Sequence, residues 1–74
     1  MPRVEKPYLV LGANLLAARK ARGWTQQELA NRIGWERSSI ANIEAGRQRV
    51  LIHSVKQIAK ALRISTMRIM KGVL

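Results

Sequence analysis

The 74-residue sequence contains no cysteine, no phenylalanine and no aspartate. Without cysteine, neither a disulfide nor a thiolate metal site can stabilise so short a chain. The aromatic residues are only Tyr8, Trp24 and Trp35, so the core must be built from Leu, Ile, Val, Ala and Met, a mixture that favours helices over strands. A single histidine, His53, and four glutamates supply no credible catalytic set. We therefore expect neither an enzyme nor a metal or other cofactor.

Long hydrophobic runs are also absent. The apolar stretch from Tyr8 to Leu11 is much shorter than the roughly 20 residues that a membrane span requires, and no signal-peptide cleavage site follows it. The sequence therefore predicts a cytoplasmic protein with no membrane partner.

Positive charge is abundant, because 14 Lys and Arg residues face four Glu and give a net charge of +10. Such a density calls for a polyanionic partner. A membrane surface would require the basic residues to lie on one helix face, whereas they are spread over several predicted elements. Single-stranded RNA would require stacking aromatics, which are nearly absent. Nucleic acid is therefore the first candidate, although charge alone would allow any polyanion.

The pattern of apolar residues predicts a single all-α domain of five short helices in residues 8–74, preceded by a flexible arm over residues 1–7. A chain of this length can form only one core. A T-x-x-E capping box begins the second helix at Thr25, Gly34 ends it, and Ser65 caps the fifth. The predicted helices span residues 8–22, 25–34, 36–45 and 52–62, with a short one after residue 65.

Helices two and three lie in the stretch QQELANRIGWERSSIANI. Ala30 is small enough for two helices to cross closely, and Gly34 can turn the chain sharply without strain. Leu29, Ile33 and Ile40 recur at the spacing of a buried face. These features predict two helices joined at a steep angle by a short turn.

Three segments, RKARGWTQQELANRIG, SSIANIEAGR and IAKALRIS, resemble the phage-repressor and Cro type of helix-turn-helix DNA-binding family, and the likeness extends from Gly12 to Gly72. The resemblance implies a lambda-repressor-like fold in which helix three lies in the major groove. The positions that it assigns to base reading are Arg37, Ser38 and Asn42, with Glu36, Ser39 and Ala41 beside them.

The chemistry of these positions suits base reading, because arginine can bond guanine and asparagine can bond adenine in bidentate fashion. The alternative is that they form only the solvated face of an amphipathic helix. Glu36 is repelled by phosphate, so we expect it to orient Arg37 or to favour the start of helix three through the helix dipole.

The resemblance also implies phosphate contacts and a structural ion pair. Gln26 matches a phosphate-binding glutamine at the start of helix two, where free N–H groups favour an anion. Arg19 and Glu44 match a largely buried salt bridge between helices one and three. The remaining predicted phosphate contacts are Gln27, Arg47, Gln48 and Arg49. The basic residues of helices four and five are predicted to be surface charges that steer association: Lys56, Lys60, Arg63, Arg68 and Lys71.

The end of the chain is more apolar than a small domain can bury alone, which favours a homodimer on a palindromic operator. The predicted interface comprises Met67, Ile69, Met70, Val73 and Leu74. The alternative is that these residues only close the core of a single protomer. A dimer of this kind would act as a repressor or autoregulator. The alternatives are a restriction-modification controller, or an antitoxin with a toxin as partner. RNA polymerase would be a further partner of a regulator.

Overall fold

The computed structural model describes residues 5–73, in which all regular structure is helical. The all-α prediction is therefore confirmed, with each predicted helix present. The helices are α1 (Lys6–Ala21), α2 (Gln26–Ile33), α3 (Arg37–Glu44), α4 (Ile52–Leu62) and α5 (Thr66–Met70).

Helix α1 begins two residues earlier than the sequence predicted. Glu5 is its N-cap, and Pro7 lies in its first turn. Proline fits there because its missing N–H would have had no partner within the helix. Lys6 and Pro7 therefore belong to the domain and not to the predicted arm, whose residues 1–4 lie outside the described residues.

The core is a small cluster of aliphatic side chains contributed by every helix. Helix α1 packs against α3 and α5, while α2 packs against α3 and α4. The buried apolar residues are Leu11, Leu15, Leu29, Ala30, Ile40, Ile43, Val55, Ile58, Ala59, Leu62 and Ile69.

The connection between α2 and α3 has the local chemistry that the sequence predicted. Thr25 and Glu28 form both hydrogen bonds of a capping box at the start of α2. Gly34 ends α2 in the left-handed conformation, with φ of 72°. Ala30 is fully buried, which is consistent with close packing of α2 in the core. These residues set the direction in which α3 leaves the turn.

Gly12 determines how closely α1 approaches the end of α3. A Cβ atom at this position would overlap the carbonyl oxygens of Ile43 and Glu44. Only glycine therefore permits this packing, which holds the last turn of α3 against α1.

The C-terminal segment is attached to α1 through Asn14, whose Nδ2 donates to the carbonyl oxygens of Ile69 at 2.7 Å and Lys71 at 2.8 Å. The side chain of Ile69 is inside the protomer, only 1% exposed. Ile69 is therefore a core residue, and its prediction as a dimer contact was wrong. Met70 and Val73 are half-buried against the same core, and Leu74 lies outside the described residues.

Exposed apolar side chains occur mainly at the start of α4 and on α5. Leu51 is 75% exposed, Ile52 56% and Met67 77%. Ile52 also lines a cavity of about 250 Å³, together with Tyr8, Val55, Met70 and Val73 among others. In the described part of the chain, none of the helices combines the length and apolar character needed to cross a bilayer.

Candidate nucleic-acid interface

Helix α3 presents one polar face away from the core. Ile40 and Ile43 are buried. Arg37 and Ser38 are exposed, and Ala41 and Asn42 follow them one turn later, half-buried. Because residues four apart lie on the same side of a helix, these four positions form a single strip opposite the buried isoleucines. Ser39 is half-buried between the strip and the core.

Gln26 connects the start of α2 to the first residue of α3. Its Oε1 accepts a hydrogen bond from Arg37 Nη1 at 3.2 Å, and its Nε2 donates to Glu44 Oε1 at 2.9 Å. The Gln26 side chain was predicted to bind phosphate, but in this structure both ends of its amide are bonded within the protein. No local sequence pattern indicates this bridge.

The ion pair between Arg19 and Glu44 is present as predicted. Arg19 donates from Nε to Glu44 Oε2 at 2.6 Å and from Nη2 to Glu44 Oε1 at 3.0 Å. Its Nη1 donates to the carbonyl oxygen of Trp24 at 2.7 Å. The two side chains are only 9% and 5% exposed. The pair belongs to a hydrogen-bonded network that runs from Arg19 through Glu44 and Gln26 to Arg37, which we call the α1–α3 network.

The α1–α3 network restricts the orientation of the Arg37 side chain in the free protein. Within residues 5–73, no buried side-chain nitrogen or oxygen lacks a hydrogen-bond partner. A buried and fully bonded arginine–carboxylate pair has little conformational freedom, and it holds Gln26 from one side. The exposed guanidinium of Arg37 is therefore supported by residues from α1, α2 and α3.

Glu36 is the N-cap of α3, but its side chain forms no capping hydrogen bond. The group that contacts Arg37 is Gln26 and not Glu36. Of the two roles predicted for Glu36, orientation of Arg37 thus receives no support. The second expected role, a favourable interaction of the Glu36 carboxylate with the α3 dipole, is consistent with its position as the N-cap.

The loop between α3 and α4 carries exposed Arg47, Gln48 and Arg49. Arg49 donates to Glu5 Oε1 from Nη2 at 3.0 Å and from Nε at 3.3 Å. The hydrogen bond to Glu5, reinforced by the negative charge of that carboxylate, raises the pKa of Arg49 above its ordinary value. The predicted phosphate contact is therefore held by a carboxylate of the same chain, a contact across 44 positions of sequence that no local pattern indicates.

The other residues near the start of α2 have local partners. Gln27 Nε2 donates to Asn31 Oδ1 at 2.8 Å, one turn further along the helix. The ring of Trp24 is half-buried, with the Arg32 guanidinium 3.9 Å from its centre. Trp24 therefore packs against the edge of the core and covers it.

Comparison with known proteins gives a consistent family. A family model described as helix-turn-helix matches residues 15–69. A hypothetical transcription factor of Neisseria meningitidis is 28% identical over 61 residues, which are 82% of this chain. The chain spans 58% of the length of that curated relative.

Solved structures show the same arrangement of helices. The hypothetical transcription factor NHTF from Neisseria has a TM-score of 0.84 at 26% identity, covering 95% of this chain and 80% of that one. The restriction-modification controller protein C.AhdI from Aeromonas hydrophila has a TM-score of 0.80 at 29% identity, covering 84% and 94%. The clp gene regulator ClgR from Corynebacterium glutamicum has a TM-score of 0.87 at 23% identity, covering 99% and 94%.

The family match begins within α1 and extends into α5, so it includes the α2–α3 unit and its neighbours. It agrees with the resemblance seen in the sequence segments. The chain belongs to the helix-turn-helix family.

Proposed function

We propose that this protein is a transcriptional regulator that binds duplex DNA in a sequence-specific manner, with α3 in the major groove. The observation that carries the proposal is the exposed strip of α3, at whose start the α1–α3 network holds Arg37. In a chain of net charge +10, such a supported arginine is suited to a polyanionic duplex.

The bases are read from the strip. Arg37 reaches guanine O6 and N7, and Asn42 one turn later reaches adenine N6 and N7, each such contact discriminating by about 1–3 kcal/mol. Ser38 and Ser39 add shorter hydrogen-bonding groups beside them. The preference at each base pair therefore follows from the side chain that faces it.

The phosphates are bound on both sides of α3. At the start of α2, the backbone N–H groups of Gln26 and Gln27 have no intrahelical partner and point toward an anion. Beyond α3, Arg47, Gln48 and Arg49 contact the other side of the groove, with Arg49 exchanging Glu5 for a phosphate. These contacts fix the register without reading the sequence.

The protein binds a palindromic operator as a homodimer and represses the promoter that the operator overlaps. The exposed Leu51 and Ile52 follow directly after the Arg47–Arg49 loop, and Met67, Met70 and Val73 extend the apolar surface along the C-terminal segment. A second copy seated on this surface would place the two α3 helices on one face of the duplex, about 34 Å apart.

The test is competitive binding of the full chain to a palindrome selected from random duplexes. We expect the selected site to bind at least about 10³-fold more tightly than random DNA at the same salt concentration. A ratio near one would overturn the proposal of a sequence-specific regulator.

The restriction-modification controller is the second candidate, because C.AhdI is 29% identical to this chain. Footprints on the DNA that flanks the gene distinguish the two. A controller would protect a site that also governs a neighbouring endonuclease gene, whereas a simple autoregulator would protect only its own promoter.

A further inference from the structure

A cluster of arginines lies at the C-terminal end of α4, outside the surface proposed for DNA. Arg22, Arg63 and Arg68 line a cavity of about 250 Å³ together with Ala18, Ala21 and Ile64. Arg68 also lines a second cavity of about 260 Å³, next to Asn14 and Lys71. The three arginines come from α1, the α4–α5 turn and α5, so the fold and not a local charge run brings them together.

The cluster contains no carboxylate of its own. The chain has only four acidic side chains, and none of them lines either cavity. Each is placed elsewhere: Glu5 at Arg49, Glu28 in the α2 capping box, Glu36 at the start of α3 and Glu44 at Arg19. Among residues 5–73, the arginines therefore line the cavity without an internal counter-charge.

Two of the arginines are distinguished by their hydrogen bonds or their backbone conformation. Arg22 is fixed by two hydrogen bonds, from Nε at 2.9 Å and Nη2 at 2.6 Å, to the carbonyl oxygen of Leu62. Arg63 ends α4 in the left-handed region, with φ of 56°, where glycine or asparagine is favoured. It is the only non-glycine residue with positive φ in the described part of the chain. An arginine that occupies a strained backbone position suggests a role for its side chain.

The cluster is separated from the Arg47–Arg49 loop, one part of the proposed DNA surface, by the length of α4. The Arg47–Arg49 loop precedes the first residue of this helix, while Arg63 follows the last, 11 residues later. At 1.5 Å per residue the two ends are about 16 Å apart. Arg22 precedes Gln26, at the other proposed phosphate contact, by only four residues, so the accessibility of the cluster in the DNA complex is part of the proposal and is tested with DNA present.

We propose that this arginine cluster binds an acidic segment of a protein partner, with a glutamate or aspartate side chain inserted into the cavity. The guanidinium forks of Arg63 and Arg68 match a carboxylate in bidentate fashion, and the apolar lining of Ala18, Ala21 and Ile64 fits the methylene group behind it. The cavity is smaller than an ordinary small-molecule site, which begins near 300 Å³, and it suits one side chain. The second cavity along Arg68 and Lys71 takes a further acidic residue of the same peptide.

The experiment titrates the full chain with a blocked synthetic peptide of alternating glutamate and aspartate, in the presence of its DNA site. Fluorescence anisotropy of the labelled peptide gives Kd, and the Nε–Hε signals of Arg22, Arg63 and Arg68 are followed by NMR. We expect saturable shifts of these three signals. Arg63→Gly and Arg68→Gln should each weaken the peptide by about fivefold or more, whereas the charge-matched control Lys56→Gln should change Kd by less than about twofold.

Arg63→Gly separates binding from folding, because glycine is favoured at positive φ. We expect its Tm to be equal to or higher than that of the unmodified chain while its peptide binding falls. Equal peptide affinities for Arg63→Gly, Arg68→Gln and Lys56→Gln would overturn the proposal.

Two further arms identify the ligand class. Inorganic phosphate should bind at least about tenfold more weakly than the peptide, since only a peptide uses both cavities. Equal affinity would show a site for free anions instead. If DNA displaces the peptide, or if Arg63→Gly and Arg68→Gln weaken DNA binding more than Lys56→Gln does, the cluster belongs to the DNA footprint and the proposal is wrong. Neither outcome affects the reading role proposed for α3.

Discussion

The Glu5 carboxylate is bonded to Arg49, the residue for which we propose a contact with the DNA backbone. The hydrogen bond to Glu5 and the negative charge of that carboxylate raise the pKa of Arg49 above its ordinary value, so the Arg49 side chain is charged at neutral pH. The pair is well exposed, at 80% and 45% for the two side chains. It is therefore a weak contact, and under the proposed function a phosphate would replace it at a cost in affinity that does not depend on the DNA sequence.

Glu5→Gln should strengthen the binding of random and selected DNA alike, by about two- to fivefold at low salt, because Arg49 no longer has to leave a carboxylate. The measurement is a fluorescence titration at several salt concentrations. Gln57→Lys, an exposed change of equal net charge on α4, serves as the control for charge alone. A gain no larger than that of this control would mean that Glu5 does not restrain Arg49.

Within the α1–α3 network, substitution of Glu44 should cause the largest loss of unfolding free energy. Glu44→Leu strands the guanidinium of Arg19 in a buried site, which should cost about 3–5 kcal/mol of unfolding free energy in urea. The double variant Arg19→Met, Glu44→Leu removes both charges and should recover part of that loss. A single-variant cost below about 1 kcal/mol would contradict the buried character of the pair.

Some side-chain contacts could be predicted from the sequence, and others could not. Arg19 and Glu44 were identified because the family resemblance assigns that pair. Gln26 was placed correctly at the start of α2, but its two bonds depend on how α2 and α3 meet in space. The Glu5–Arg49 contact depends on where α1 begins, and Pro7 is compatible both with a loop and with a first helical turn. Side-chain partners across helices are thus fixed by packing, which local patterns do not encode.

Helix ends could be predicted where a particular residue type caps or terminates the helix. Thr25 with Glu28, Gly34 and Ser65 each supply a cap or a left-handed turn, and the structure has a helix boundary at each. Helix α4 lacks such a signal at its start, since its N-cap is Leu51 without a side-chain hydrogen bond. Its beginning was nevertheless found from the spacing of the buried residues.

Gly12→Ala tests the packing of α1 against α3. Helix propensity alone predicts a gain of about 0.5–1 kcal/mol, because alanine is the better helix former. The overlap with the carbonyls of Ile43 and Glu44 predicts a loss of about 1–3 kcal/mol or more instead. The sign of the change in urea unfolding decides between them, with Ala13→Gly on the exposed side of α1 as the measure of propensity. A stabilised Gly12→Ala would contradict the close approach.

For the whole molecule, the principal correction concerns the apolar C-terminal segment. A chain of this size has few side chains with which to build a core, and Ile69 is needed inside it. Leu51 and Ile52, which the sequence analysis did not assign to the interface, therefore form part of the apolar surface on which we propose that a second copy binds. Their exposure follows from the path of the α3–α4 loop.

Leu51→Glu should break the homodimer without unfolding the protomer, since Leu51 is 75% exposed. Sedimentation equilibrium without DNA should show a dimer for the unmodified chain and a monomer for the variant. Gln57→Glu adds the same charge to α4 and should leave the dimer intact. If the unmodified chain is monomeric both free and on DNA, the dimer proposal is wrong.

The central claim is that α3 reads bases through Arg37. The most direct measurement is the binding of Arg37→Ala to a library in which every base pair of the selected site is varied, beside Arg47→Ala as a phosphate-contact control. We predict that Arg37→Ala loses about 1–3 kcal/mol of discrimination at one base pair per half-site, while Arg47→Ala weakens all sequences equally and keeps the preference. A uniform loss of affinity for Arg37→Ala, with every base preference retained, would contradict the claim.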